Sequence, residues 1–297
     1  LRHEKEKNYY TFMMVVSVIV WLLCLVGVLA ALVFCLPLIL IGLFVSWLSS
    51  QYFKAVVFGN SIQVNEKQFP EIDRIVKDFS RELGLAGSLV FVENGNGSVN
   101  AFAVKMLSKK YVILKSDLVD LMLRRGRTDE LAMIIGHELA HHAAGHTAFF
   151  RNLAILPGRI IPFLGAAYGR ACELTADRIG YALVGDGRAA QNSLIAVALG
   201  CQSLADRIDI ERFAEQEREI PADGFRAQDF SSHPRMTRRV IEISEFDKRQ
   251  SNKNDEMKKL LIVLLSACTW WACDKGDDGA PSSIVLTGGS GDQTIYA

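Results

Sequence analysis

The residues best suited to chemistry are HELAH, His137 to His141. Two histidines four apart share one face of a helix, so both imidazoles can reach a single ion about 2 Å away. Glu138, beside them, stands where a carboxylate can take a proton from a water at that ion. The surrounding run LAMIIGHELAHHAAGH, Leu131 to His146, is apolar on nearly every face and must be buried. Burying a His–Glu–His cluster without partners strips its water and returns nothing, and a bound metal removes that cost. His142 and His146 form a second pair of the same spacing, turned by about a quarter of the helix from the first. No acid occupies the base position between them, so they read as hydrogen-bonding residues or as the end of the helix.

A catalytic zinc takes three protein ligands and keeps one position open. The six cysteines show no metal or disulfide spacing, a scatter that suits a reducing compartment. The third ligand must therefore be an acid from another helix. In ACELTADRIGY, Ala171 to Tyr181, Glu173 and Asp177 share one face of an apolar helix. Glu173 as ligand, with Asp177 accepting a hydrogen bond from a ligand imidazole, satisfies both acids. Surface carboxylates beside Arg170 and Arg178 fit the same spacing, and spacing alone leaves both readings open.

Other elements must hold these helices in place. Phe69–Leu83 has the apolar period of an amphipathic helix that ends at Gly84. Ser88–Gly95, Val99–Val104 and Lys110–Ser116 read as strands, and Leu118–Leu123 as a helix. Gly126–Thr128 breaks the chain, and Thr128 is the expected cap of the motif helix, with Asp129 and Glu130 at its favourable end. Between the motif helix and ACELTADRIGY, residues 147–169 are apolar but carry Arg151, Arg159, Pro157 and Pro162. That is too broken for a clean span. It reads as a hydrophobic loop on a membrane surface or over the site.

Upstream, Asn8 to Phe53 contains no charged residue. Two membrane-spanning helices of roughly 20 residues fit that length. A secretion signal, whose apolar core is about 7–15 residues, does not. Pro37, with Cys35 and Leu36, marks the expected turn between Tyr10–Phe34 and Leu38–Val57. Arg2, Lys5 and Lys7 before the hairpin and Lys54 after it place both ends in the cytoplasm. The expected organisation is an N-terminal tail and transmembrane hairpin over 1–58, a catalytic domain over 59–250, and a polar linker and tail over 251–297. The expected class is α+β, mainly α with a small sheet. Lys and Arg together number 33, as do Asp and Glu, so nothing points to nucleic acid. Within the tail, Met257–Gly279 opens with a methionine and two lysines, followed by an apolar run of about 13 residues and a small residue before Cys273, like a lipoprotein signal. The expectation is a fusion of two neighbouring genes, or else a membrane-associated end, with no part in catalysis.

NAFA, HELAHH, ACELTADRIG and SSHP occur in this order, and with them the chain resembles the HtpX-like membrane zinc peptidases, the group that includes the CaaX prenyl protease. The resemblance runs from the hairpin to about Ile243. It implies a gluzincin-type peptidase with one Zn2+ per chain: His137, His141 and Glu173 as ligands, Glu138 as base and Asp177 supporting a ligand. It implies that Asn100, Ala101, Phe102 and Ala103 lie on an edge strand that a peptide substrate extends. It matches His233 to a histidine that steadies the oxyanion and Arg239 to an arginine that follows it in the same motif. Taken alone, His233 reads more readily as a helix-start residue before Pro234. The expected activity is a membrane-anchored zinc endopeptidase acting on misfolded or membrane-associated proteins, in the bacterial inner membrane with its catalytic domain facing the cytoplasm. The rival is a non-proteolytic zinc-containing scaffold or chaperone-like binder, which zinc content alone would not separate from an enzyme.

Overall fold

Two apolar helices open the fold, α1 (Glu4–Ala30) and α2 (Leu32–Asn60). Both are long and apolar enough to cross a membrane. The structure, a computed structural model, describes residues 2–106, 109–124, 126–221, 228–253, 284–286 and 293–295. The two helices join at Ala31 (φ −108°, ψ 15°), not at Pro37, where the composition predicts a turn. Pro37 lies inside α2. Its ring holds φ in the helical range and forfeits one amide donor near the start of the helix. Both helices return to one body. Met13 is buried against Ile155, Tyr168 and Cys172, and Val57 against Phe91, Tyr111 and Ile113.

The sheet comprises β1 (Ser61–Gln63), β2 (Ser88–Glu93), β3 (Ala101–Met106) and β4 (Lys109–Lys115), in the order β1-β2-β4-β3. β2 and β4 are parallel and the other pairs antiparallel. Alternation assigns the two faces. Val90, Val92, Val112 and Leu114 face the main core, with Ile72 and Val76 of α3 (Pro70–Glu82), Leu118 of α4 (Ser116–Leu123) and Leu131, Ile135 and Leu139 of α5 (Thr128–Ala143). Phe91, Tyr111 and Ile113 face the end of α2. β3 is left as an edge.

α5 starts with Thr128 as its first residue and Arg127 as its cap, one place earlier than predicted. Arg127 ties that start down by donating to Glu130 and to Asp206. The apolar stretch after α5 is helical rather than a loop: α6 (Phe149–Ala154), α7 (Leu156–Ile160) and the first turns of α8 (Pro162–Val184). Its prolines lie in first helical turns, where a missing N–H costs nothing. α7 packs on α1 through Gly158, whose amide donates to Ser17 Oγ at 3.0 Å.

α5 and α8 cross where glycines let the backbones touch. A methyl on Gly136 would lie 3.2 Å from Gly180 Cα, and one on Gly180 would lie 3.0 Å from the Met133 carbonyl. α9 (Gly187–Leu199), the short helices α10 (Gln202–Ala205) and α11 (Ile210–Glu215), and helical residues 236–247 complete this unit, which spans Leu1–Asp247. The architecture is α+β, mainly helical with one small mixed sheet. A second unit, Lys248–Ala297, contains helical residues 248–253 and an antiparallel ribbon of β5 (Ile284–Leu286) and β6 (Gln293–Ile295). The signal-like run over 257–279 lies outside the described residues.

Candidate metal centre

The glycine crossing puts the acids of α8 beside the histidines of α5. One helical turn separates His137 from His141, and their Nε2 atoms face each other at 3.1 Å. Glu173 reaches both: Oε2 is 3.5 Å from His137 Nε2, and Oε1 is 3.6 Å from His141 Nε2. Four ligands about 2 Å from an ion stand roughly 3.3 Å apart in a tetrahedron. The three measured separations suit such an ion, and two imidazoles with one carboxylate are a donor set for zinc.

Asp177 Oδ1 lies 2.9 Å from His137 Nδ1. A carboxylate only accepts, so the imidazole donates from Nδ1 and its lone pair stays at Nε2. Arg239 grips Asp177 with two bonds, Nε to Oδ2 at 2.7 Å and Nη2 to Oδ1 at 2.5 Å. Its Nη2 is also 4.0 Å from Glu173 Oε2. His141 points its Nδ1 elsewhere, to Nδ1 of His146 at 2.9 Å. His142 faces away from the pair, with Nε2 3.0 Å from the Tyr111 carbonyl and Nδ1 2.8 Å from Thr147 Oγ1.

The electrostatics describe a place prepared for positive charge. Burial opposes charge on Glu173, yet hydrogen bonds from His137 and His233 outweigh it and hold the carboxyl well below its usual range. Burial also opposes charge on Asp177, and Arg239 overrides it. On His137 the same burial is overcome by Asp177 and Glu173, which raise the imidazole far above its ordinary range and so favour a positive charge beside Nε2, one that an ion would supply in place of a proton. Burial and the neighbouring His137 push His141 down. Glu138 stands apart: burial raises its carboxyl to about 7, with Glu173 adding to the effect. A base that titrates near neutrality is matched to proton transfer.

A cleft of about 340 Å³ opens over these groups. Residues 100–103, at the free edge of β3, line it opposite His137, Glu138 and His141. The Ala103 amide bonds to Glu138. His233 brings Nδ1 to 3.4 Å from Glu173 Oε1 while 71 % of its side chain remains open to solvent. Arg239 is deep in the site, behind Asp177, where a gap of more than sixty residues hides its pairing from any spacing argument. The expected ligands, the base, residues 100–103, Asp177, His233 and Arg239 thus line one cleft, and His142 does not.

Sequence reasoning missed Glu6. It sits in the first turn of α1, is completely buried, and accepts hydrogen bonds from the Thr175 hydroxyl and from Arg151. The one signal was an acid beside an apolar span, which charge rules for membranes count for little.

The profile of Peptidase family M48 matches residues 66–156 and 151–247. A plastoglobule-localized metallopeptidase 48 of the Arabidopsis thaliana chloroplast is 24 % identical over 54 % of this chain and 49 % of its own length. A protease HtpX homolog of Halobacterium salinarum is 34 % identical over 27 % of this chain and 26 % of its own. The crystal structure of S. mikatae Ste24p matches 69 % of this chain and 57 % of that one at 14 % identity, with a TM-score of 0.45. The chain spans about half the length of the first of these relatives and about a quarter of the second.

Proposed function

The chain belongs to peptidase family M48, and we propose that it is a membrane-anchored zinc endopeptidase that hydrolyses peptide bonds in misfolded or membrane-associated proteins. The observation that carries this reading is the convergence of His137, His141 and Glu173 from two helices within 3.6 Å of one another. Zinc held there supplies Lewis acidity and lowers the pKa of water.

The chain's own groups do the rest. The free edge of β3 at Asn100–Ala103 offers backbone partners to an extended peptide, which adds to the sheet as a further strand beside Glu138. The Glu138 carboxylate takes a proton from the attacking water and returns it to the leaving amine nitrogen. His233, open to the cleft and within reach of Glu173, donates to the oxygen that gains negative charge. Its proton is held by that same carboxylate, whose hydrogen bond raises the imidazole above its ordinary range. Asp177 and Arg239 keep His137 turned towards the ion.

Membrane attachment draws support from exposure. Leu23 and Leu38 of α1 and α2 are 71 % and 68 % exposed, so the two helices need an apolar surrounding. Phe150 and Ile160, on α6 and α7, are 81 % and 72 % exposed, and both short helices contact α1, so they add to the apolar surface beside the hairpin. Substrate near a bilayer is the class that surface suits. The basic residues at both ends of the hairpin favour the cytoplasmic side of a bacterial inner membrane.

The test is proteolysis of an unfolded membrane protein by the full-length chain in detergent micelles. Cleavage is expected to stop on chelation and return with zinc. Glu138→Gln is expected to keep the metal and lose roughly 10²–10⁴ in rate. Zinc binding without any cleavage would favour the scaffold reading instead.

A further inference from the structure

Glu6 and His146 have no part in the catalytic reading, yet they join the N-terminal segment to a ligand. The carboxylate of Glu6 is fully buried, with Arg151 Nη2 at 3.1 Å and His146 Nε2 at 3.2 Å from Oε1. On its other side, His146 places Nδ1 2.9 Å from Nδ1 of His141. A carboxylate only accepts, so Nε2 of His146 is the nitrogen that carries hydrogen. A neutral imidazole has one donor and one acceptor, which leaves Nδ1 of His146 with its lone pair. The hydrogen between the two Nδ1 atoms therefore belongs to His141. That puts the lone pair of His141 at Nε2, the atom that faces His137 and Glu173.

We propose that Glu6 and His146 are positioning residues for the ligand His141. Glu6 selects the tautomer of His146, and His146 holds the ring and lone pair of His141 on the ion. The inference rests on the reading of His137, His141 and Glu173 as ligands. It makes the first turn of α1 part of the metal centre. The donor atoms of Glu6, His146 and Cys172 are also close enough together to hold an ion of their own. That place is taken: Arg151 pairs with Glu6 and lies 4.4 Å over the Tyr10 ring, so the carboxylate already has its cation.

The test is the zinc dissociation constant of the full-length chain in detergent, measured by competition with a chromophoric chelator. Wild type, Glu6→Leu, His146→Leu and the double variant are compared, with thermal melting of each ion-free protein followed in parallel. Each single change is expected to weaken zinc binding by about 10–100-fold. The double variant is expected to lose no more than the worse single, because both residues act through one chain of bonds. Unchanged affinity in folded singles, or losses that multiply in the double, would overturn the proposal. Where Glu6→Leu fails to fold, His146→Gln against His146→Leu decides. Glutamine offers His141 an acceptor oxygen, so it is expected to bind zinc more tightly than leucine, and equal affinities would overturn the relay. Cleavage plays no part in this readout. A chain that shows this pattern but hydrolyses nothing fails only as a peptidase, and a wild type that binds no zinc sinks the relay together with the metal centre.

Discussion

His137 and His141 face the same ion position but lean on different parts of the molecule. Behind His137 stand Asp177, on the helix that supplies Glu173, and then Arg239. Behind His141 stand His146, just past its own helix, and then Glu6, with Arg151 as counter-ion. Each imidazole thus ends on a buried carboxylate answered by an arginine. The first support is closed inside the catalytic body. The second is completed only when the start of an apolar helix docks. The proposed relay would make zinc affinity depend on that docking.

Glu173 belongs to neither support but stands beside Nε2 of both imidazoles as the third candidate ligand, so its loss should have the largest effect. Glu173→Ala is expected to reduce zinc affinity by more than the roughly 10–100-fold that outer partners cost. Metal content after gel filtration measures it. Stoichiometric zinc in that variant would show that the two imidazoles hold the ion without the acid.

Next comes the inner support. Asp177→Asn leaves the Arg239 guanidinium buried without its carboxylate. Removing one partner of a buried pair costs about 3–5 kcal/mol. The ion-free protein should melt well below wild type and bind zinc more weakly. Arg239→Met removes the other partner and should destabilise similarly, because Asp177 is then the stranded charge. A double change to Asn and Met that is no worse than either single would mark the pair as one unit. Additive losses would mean that each residue works separately.

How much of this was legible in the sequence follows the same division. His137, Glu138 and His141 announce themselves by helical spacing, because a local period is visible in one stretch of chain, whereas for Glu173 and Asp177 spacing left a surface pair equally open and the resemblance decided between them. Three strands of the sheet, β2, β3 and β4, showed as apolar runs, and the three-residue β1 did not. The position of the hairpin junction did not, since Pro37 tolerates the helix it was expected to break. The Gly136–Gly180 crossing and the Glu6–His146 bond join residues far apart in the chain, and no local pattern encodes such pairings. Arg239 was legible only through the resemblance, and its partner only through the fold.

A smaller effect is expected from the apolar flank. Phe150→Asp together with Phe163→Asp changes two exposed side chains and strands no buried partner, so folding should be nearly unchanged. Cleavage of bilayer-embedded substrate should fall while cleavage of a soluble unfolded protein stays the same. Equal rates on both substrates, matching wild type, would remove α6 and the first turn of α8 from any role at the membrane.

The smallest effect on zinc affinity should come from the outermost tie of the N-terminal segment. His3 Nε2 lies 3.3 Å from Glu242 Oε2, and the His3 amide donates to Thr175 Oγ1. Glu242 is held down at about 2 by the His3 hydrogen bond first, with Arg238 and Arg178 adding to it against burial. A carboxyl lowered by folding stabilises the fold above its ordinary value near 4.5, and that contribution is lost as pH falls towards about 2. Wild type should therefore lose melting temperature more steeply across that window than Glu242→Gln, which has nothing there to titrate. At neutral pH the substitution should cost about 1.5–3 kcal/mol, the worth of hydrogen bonds to a charged group. Because the tie lies three residues before Glu6, zinc affinity should weaken slightly in Glu242→Gln and not at all in a Glu6→Leu background. Parallel acid profiles for wild type and variant would show that His3 is held by packing rather than by charge, and that the second support ends at Glu6.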